Sequence, residues 1–453
     1  MIDQNNNKIS DAEILLEKDD TVIFNTNTDE IGKAIVKAPI DSEPYNLIVK
    51  YNGFTFYKET VKLNLIGKLY SKTLKINISL YNLKVKIFDT WDLPVADIDL
   101  NPFLIINDNN TLNTIKADKI IENNYYFSNL KPGTYELSIK YKIYELKKDQ
   151  KIKQDEEIEI TFPAEFDINI KTIDSRGNCF TPNKVVITRE NKKIEIKDNL
   201  EDINISVPPG TYNLQIYNEK DIVSKRNIDV FNKKTLTIIT KQEPIYPTVV
   251  IIISAIIIFL SILLSYIKKD KTYFFKLLPV AVVISALFLS WWSIQGGSET
   301  INTSSNMYLL PTNLITISEN SMIIYGEQAY LPEIFTYVLT IIPIIAIAAS
   351  IILLSSIILK KMGKNKIYLI SMIFAIFLFA GSLVIYSIGM QTYNEIGIGS
   401  FIGQGDLDVS TPGGNSYLVN SQWGPGVGFY LIIFVIIWII LTTFIDKKIY
   451  NKI

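Results

Sequence analysis

The chain has 453 residues, is 48% hydrophobic and 20% charged, and sets 45 Lys+Arg against 46 Asp+Glu. It holds one cysteine, Cys179, and no histidine. The near-zero net charge argues against a general nucleic-acid binder, one cysteine makes no internal disulfide, and the lack of histidine excludes His-based triads, proton shuttles and His-ligated metal sites.

Character changes near residue 245. Residues 1–244 carry a net charge of −3 and short apolar runs, whereas residues 245–453 carry +2 and long ones. In the first part the runs alternate with period two: Tyr45–Tyr51 reads YNLIVKY, Leu83–Phe88 LKVKIF, Tyr135–Tyr141 YELSIKY and Tyr212–Tyr217 YNLQIY. Alternation rich in β-branched and aromatic residues, broken by Asn, Asp, Gly and Pro turns, predicts the strands of β-sandwiches. Two landmarks repeat. A strand ending in Asp and followed by a polar turn occurs at Asp3, Asp89 and Asp174. A tight turn feeding an alternating strand occurs at Pro132-Gly133-Thr134-Tyr135 and Pro209-Gly210-Thr211-Tyr212, with a degenerate copy at Glu43-Pro44-Tyr45. The aspartates are 86 and 85 positions apart, which predicts three repeats over 1–80, 81–164 and 165–244.

This succession of Asp turn, strand, PGTY and alternating strand resembles carboxypeptidase-regulatory-like and Cna-B-type domains, clearly over 81–240 and less well over 1–80. The resemblance implies seven-stranded sandwiches of transthyretin or immunoglobulin type that serve as spacers, adhesins or binding units. Some Cna-B relatives carry Lys–Asn isopeptide bonds guided by a glutamate, and no convincing Lys, Glu and Asn set stands out in this sequence.

The first repeat has only Met1 and Ile2 ahead of its landmark Asp3, and no apolar signal segment. The expectation is a C-terminal portion of a longer translated protein; the alternative is a degenerate first repeat with the first apolar run acting as a reverse anchor.

Five uncharged apolar runs follow, at 248–267, 277–294, 334–359, 367–389 and 427–445. Each approaches or exceeds the length needed to cross a bilayer core as a helix, about 20 residues. All 11 lysines of this part fall in 268–276, 360–366 and the C-terminal tail, while the loops 295–333 and 390–426 hold seven acids and no lysine or arginine. The positive-inside rule then predicts a multi-pass plasma-membrane protein with five spans. Residues 1–244 and both loops lie outside and the C-terminus is cytoplasmic, with Trp291 and Trp292 at the outer interface. The fold class expected is all-β tandem immunoglobulin/transthyretin-like sandwiches followed by an all-α five-helix transmembrane bundle. The second half resembles uncharacterised prokaryotic, archaeal surface membrane proteins, on the run SWWSIQGG and the Ser/Thr/Asn-rich loop after it.

Chemistry is sparse. The apolar runs hold no Asp, Glu, Lys or Arg, which argues against a proton relay or coupled transporter. Their polar groups are mostly hydroxyls, among them Ser254, Ser285, Thr340, Ser350, Ser355 and Ser371, suited to local bonds or helix contacts. Pro343 is expected to bend the third run, and Gly381 to allow close approach in the fourth. The loop 390–426 is glycine-rich, but GIGSFIGQG has Ile402 where a dinucleotide fingerprint needs its third Gly, so a compact irregular loop is expected. Asp406 and Asp408 are a weak candidate pair for a cation such as calcium. The turn from Asp3 lacks the Gly and Glu of a calcium loop and reads as an ordinary Asn/Asp turn. Asn77, Asn109, Asn204 and Asn302 stand in glycosylation sequons.

No cofactor is implied and no catalytic residue emerges. The expectation is a non-enzymatic surface protein whose partners are membrane lipid and another surface or membrane protein or a glycan. An accessory or sensing subunit of a membrane complex is the alternative, and a membrane enzyme or transporter with acidic outer loops the third reading.

Overall fold

The computed structural model describes all residues except 40, 42, 63–72, 96–98, 109–110, 198–199, 202, 330, 332, 392–399, 411–415 and 451–453. The fold is β-rich through the first three-quarters of the chain and ends in helices. Two compact units are present. One is Met1–Asp167 with Ser206–Gly210 and Val230–Lys233; the other is Ile168–Ile205, Thr211–Asp229 and Lys234–Ile453. The change of composition at 245 is therefore not the boundary of the compact units, because most of the third repeat belongs with the helices.

In the first unit, β1 (Glu13–Lys18), β2 (Thr21–Asn27), β3 (Tyr45–Tyr51) and β4 (Phe54–Val61) make an antiparallel sheet in the order β2-β1-β3-β4. Its inward residues, including Ile14, Leu16, Tyr45, Leu47 and Val49, close on Ile76, Ile78 and Leu80. The next eight strands are β5 (Tyr81–Phe88), β6 (Phe103–Asp108), β7 (Thr111–Lys116), β8 (Lys119–Ile121), β9 (Asn124–Leu130), β10 (Gly133–Tyr141), β11 (Tyr144–Ile152) and β12 (Glu156–Thr161). They form two sheets, β11-β10-β6-β7 and β12-β5-β9-β8. Alternate residues of both, such as Leu83, Val85, Leu137 and Ile139, meet in one core, as period-two patterning requires.

The landmark aspartates build one hydrogen-bonded turn each. Oδ1 of Asp3 accepts from the amides of Asn5 (2.8 Å) and Asn7 (2.7 Å). Asp89 repeats this with Trp91 (2.7 Å) and Leu93 (3.1 Å), and Asp174 with Arg176 (2.8 Å) and Asn178 (3.0 Å). Asp29 makes a fourth copy with Ile31 (3.0 Å) and Lys33 (2.8 Å). In all four the Asp amide also donates to the carbonyl four residues on, and the third residue on is left-handed: Asn6, Asp92, Gly177 and Gly32. Carboxylates taken up by backbone amides explain the Asp repeat without a metal. The tyrosines of the second landmark are all buried, with Tyr45 and Tyr135 donating to the carbonyls of Pro39 (2.9 Å) and Lys131 (2.7 Å). The pairing ahead of each Asp also recurs: β5 runs parallel to β12, and Ile2 makes a parallel bridge to Asn77.

The second unit contains β14 (Lys184–Arg189), β15 (Lys192–Ile196) and β19 (Lys234–Ile239), and most of β13 (Phe166–Ile173), β16 (Ile203–Val207), β17 (Gly210–Asn218) and β18 (Asp221–Val230). Here too β13 runs parallel to β19. Then come α1 (Tyr246–Ile267), α2 (Thr272–Phe288), β20 (Trp292–Gly297), β21 (Asn302–Leu309), β22 (Thr312–Glu319) and β23 (Ile324–Gln328). The chain ends with α3 (Glu333–Lys361), α4 (Asn365–Gln391), β24 (Gly403–Ser410), β25 (Ser416–Pro425) and α5 (Val427–Tyr450).

The segments expected as loops, 295–333 and 390–426, contain strands. They continue the sheet of the third sandwich in the order β15-β14-β17-β18-β23-β22-β21-β20-β25-β24. Their polar alternation, as in Asn302–Leu309 (NTSSNMYL), satisfies a sheet whose face is only partly apolar. Gly403 serves packing; a Cβ there would lie 2.7 Å from the ring of Trp423, its cross-strand partner. The C-terminal part is thus not all-α.

Among the described residues, four helices are long and apolar enough to cross a membrane: Tyr246–Ile267, Phe335–Lys361, Asn365–Met390 and Val427–Ile445. The second apolar run differs from expectation. Its helix is α2, 17 residues long, which starts at Thr272, whose amide donates to the Asp270 carboxylate (2.9 Å), and ends at Phe288. Ser293 and Ile294 leave the helix because β20 pairs with both β21 and β25. Lys276, expected in a loop, lies inside α2, fully buried, with its Nζ 5.3 Å from the centroid of Tyr368. Trp291 and Trp292 are not interface residues but are wholly buried, donating to the carbonyls of Ala286 (2.8 Å) and Phe401 (3.0 Å). Four of the expected hydroxyls, on Thr340, Ser350, Ser355 and Ser371, bond carbonyls three or four residues back. Nothing lies within 4 Å of a Cβ on Gly381; the glycine of close approach in α4 is Gly389, where a Cβ would lie 2.9 Å from the Phe335 ring.

Candidate functional site

Within the second unit the third sandwich is joined to the helix-borne strands at several points. β23 bridges β18 at Lys225–Ile324 and β19 at Ile239–Gly326. Only glycine fits at position 326, because a Cβ there would come within 2.6 Å of the Ile239 side chain. Lys225 Nζ donates to the Ser321 carbonyl (3.2 Å), and Lys241 pairs with Glu319 (2.8 Å).

Arg176, at the tip of the third Asp turn, is the centre of this joint. It is 5% exposed. Its guanidinium donates to the carbonyl of Phe288, the last residue of α2, and Nε lies 3.4 Å from a Glu243 carboxylate oxygen. It stacks 4.0 Å from the centroid of Tyr308 and 5.7 Å from that of Tyr246, the first residue of α1. The backbone carbonyl of Arg176 accepts from the Asn313 side chain. The turn fixes these contacts, since Asp174 ties the Arg176 amide and Gly177 supplies the left-handed residue after it. Burial, with Glu243 next in weight, pushes the Tyr308 phenol up to about 12. A neutral phenol ring facing a cation in a dry site is a stable pairing. A second arginine, Arg226 on β18, lies 5.7 Å from the Tyr325 ring of β23, and burial holds it below the usual arginine value.

Beside the joint is a cleft of about 330 Å³. Its floor is one face of β20–β22, where Gln295, Ser304 and Ile317 line up across the strands, as do Asn302 with Glu319 and Asn306 with Ile315. Ser175, Lys241 and Glu243 form the wall.

The residues singled out by sequence lie elsewhere, with one exception. Asp406 and Asp408 share the exposed face of β24, where Asp406 accepts from Asn420 (3.0 Å). No group of three or more Asp, Glu or Cys side chains able to hold a metal occurs among the described residues. Asn77 is exposed, and Asn204 is exposed but accepts from Asn169 (2.9 Å). Asn109 lies outside the described residues. Asn302 is exposed and lines the cleft. Cys179 is a free, exposed thiol. Sequence reasoning missed Arg176, although a signal was there. The chain has only three arginines, Arg176, Arg189 and Arg226, all in the third repeat, and each stacks on a tyrosine, a role lysine fills poorly.

No family model and no curated protein matches the sequence. Among solved structures, the TIE protein of Bacillus anthracis is similar at 16% identity and a TM-score of 0.23, over 53% of this chain and 49% of that one. The matched part therefore spans about half of the anthrax protein. A streptococcal ancillary pilin is similar at 12% identity and a TM-score of 0.16, over 44% and 76% of the two chains. The major pilin subunit of Bacillus cereus is similar at 12% identity and a TM-score of 0.18, over 53% and 97%. With TM-scores this low, the strand pairing above is what defines the fold.

Proposed function

We propose that this is a multi-pass membrane protein of the cell surface that displays tandem immunoglobulin-like sandwiches for binding or adhesion and performs no catalysis. One observation carries the proposal: the third sandwich is not tethered to the helices but shares a sheet with strands that grow out of them, and Arg176 fastens its turn to the end of α2. Such a joint holds a binding module in a set orientation on its anchor. The repeats are taken as 1–80, 81–164 and 165–244, with the helices and their strands over 245–453. Lysine placement favours the sandwiches outside and the C-terminus in the cytoplasm. Although α2 is short, it fits as a fifth span because α1, α3 and α5 pack around it, so neighbouring helices as well as lipid cover its surface. The partner is another surface protein or a glycan.

The test is display. An epitope inserted at the Lys142–Ile143 turn, where Ile143 is 88% exposed, should be labelled by antibody on intact cells. Labelling only after permeabilisation would remove the proposal.

A second reading, an accessory or sensing subunit of a membrane complex, is favoured by α1. Only 11% of its apolar window is buried, and it packs chiefly on α2. A stoichiometric membrane partner retained in mild detergent would support it.

A further inference from the structure

We infer that the cleft on β20–β22 is a binding site for a neutral saccharide. The inference concerns a different site from the sandwich surfaces and holds wherever the protein resides.

Gln295, Asn302, Ser304 and Asn306 present three amides and a hydroxyl, and none of the four side chains hydrogen-bonds another group among the described residues. Amides and hydroxyls offer both donors and acceptors, which is what a ring of hydroxyl groups needs from its site. Ile315 and Ile317 alternate with them as the apolar patch, suited to the C–H face of a sugar. The opposite face of the same strands contrasts with this one: there Thr303 pairs with Ser318 (3.2 Å) and Ser305 with Thr316 (2.7 Å), so its hydroxyls are already satisfied.

An independent observation comes from the wall. Ser175 is 7% exposed, lines the cleft, and its Oγ has no hydrogen-bond partner. A buried hydroxyl left without a partner costs about 1–3 kcal/mol; with less than 1 Å² of it accessible, a ligand hydroxyl in the cleft reaches it only as the wall adjusts on binding.

Charge selects the ligand class. Lys241 is engaged with Glu319 at 2.8 Å, and Glu243 with Arg176 at 3.4 Å. The lining therefore offers no unpaired cation, which disfavours phosphorylated or acidic sugars. The volume of about 330 Å³ is at the lower end of ligand pockets, which start near ~300 Å³, and suits a mono- or disaccharide unit.

The test uses the full chain in detergent. Glucose, galactose, mannose, N-acetylglucosamine and their disaccharides are titrated by calorimetry, with glucuronate and glucose 6-phosphate as anionic comparators. At least one neutral sugar should bind, and Gln295→Leu and Asn302→Leu, both at exposed positions, should each weaken it about tenfold or more, a change of ~1.4 kcal/mol. A second measurement needs no variant: the bound sugar should slow acylation of Lys241 and leave Lys233, whose side chain is 80% exposed, unchanged. Binding by none of the sugars, preference for the anionic comparators, affinity indifferent to both substitutions, or no protection of Lys241 would each overturn the inference.

Discussion

The guanidinium of Arg176 lies 4.0 Å from the ring centroid of Tyr308, so a turn of the third sandwich and a strand that follows α2 share one buried cation–π contact. Replacing Arg176 by Lys keeps the charge but loses the planar stack and the directed bond to the Phe288 carbonyl. A desolvated stack and a charge-assisted bond are each worth about 2 kcal/mol. The variant should lose about 2 kcal/mol of stability, unfold at lower temperature in detergent, and exchange amide hydrogen faster at Trp291–Ser293. An unchanged melting curve would show that Arg176 is not what fastens the joint.

Tyr308 also gives the joint a pH dependence. Its pKa rises from 10.0 to about 12 on folding, chiefly through burial. The unfolded chain therefore releases this proton first. The stabilising contribution is fully present below pH 10.0 and is lost as pH rises through about 12. Tyr308→Phe should flatten the decline in melting temperature across that alkaline window, and phenolate absorbance should show one late-titrating tyrosine fewer.

The Asp turns should differ in cost according to burial. Asp89 is 1% and Asp174 4% exposed, so Asp→Ala at either leaves buried backbone amides unpaired, at about 2 kcal/mol. Asp3 makes the same bonds in the open, where water replaces them. Denaturant midpoints of the three variants should rank Asp3→Ala as the mildest by a clear margin.

Two glycines in the helices should behave oppositely. A Cβ on Gly428 would lie 2.6 Å from the Ala286 carbonyl and from the Trp291 ring, so Gly428→Ala should destabilise by about 1–3 kcal/mol. Gly381 has open space around it, so Gly381→Ala should be neutral or stabilise by up to about 1 kcal/mol. Thermal unfolding of both in the same detergent decides it.

What the sequence disclosed followed from periodicity. Alternation at Tyr135–Tyr141 and Tyr212–Tyr217 is a local signal, and strands β10 and β17 lie there. The Asp landmark was legible because one side chain organises five consecutive residues. The helix-borne strands were hidden: Trp292 and Ile294 read as the end of an apolar run, and only pairing with Met307 and Trp423, far along the chain, makes them β. Lys276 was misplaced for the same reason, since a lysine at the edge of an apolar run marks a helix end unless a distant ring such as Tyr368 receives it. The cleft was illegible because Ser175 and Asn302 meet only through tertiary structure; Asn302 was noticed for its sequon alone.

The shared sheet has a consequence for a protein that is pulled. β19 leads directly into α1, while its neighbour β23 leads into α3. Tension entering the third sandwich therefore divides between two helices, and Arg176 carries part of it to the end of a third, α2. The helices would resist traction as a tripod does, with no single one bearing the whole load.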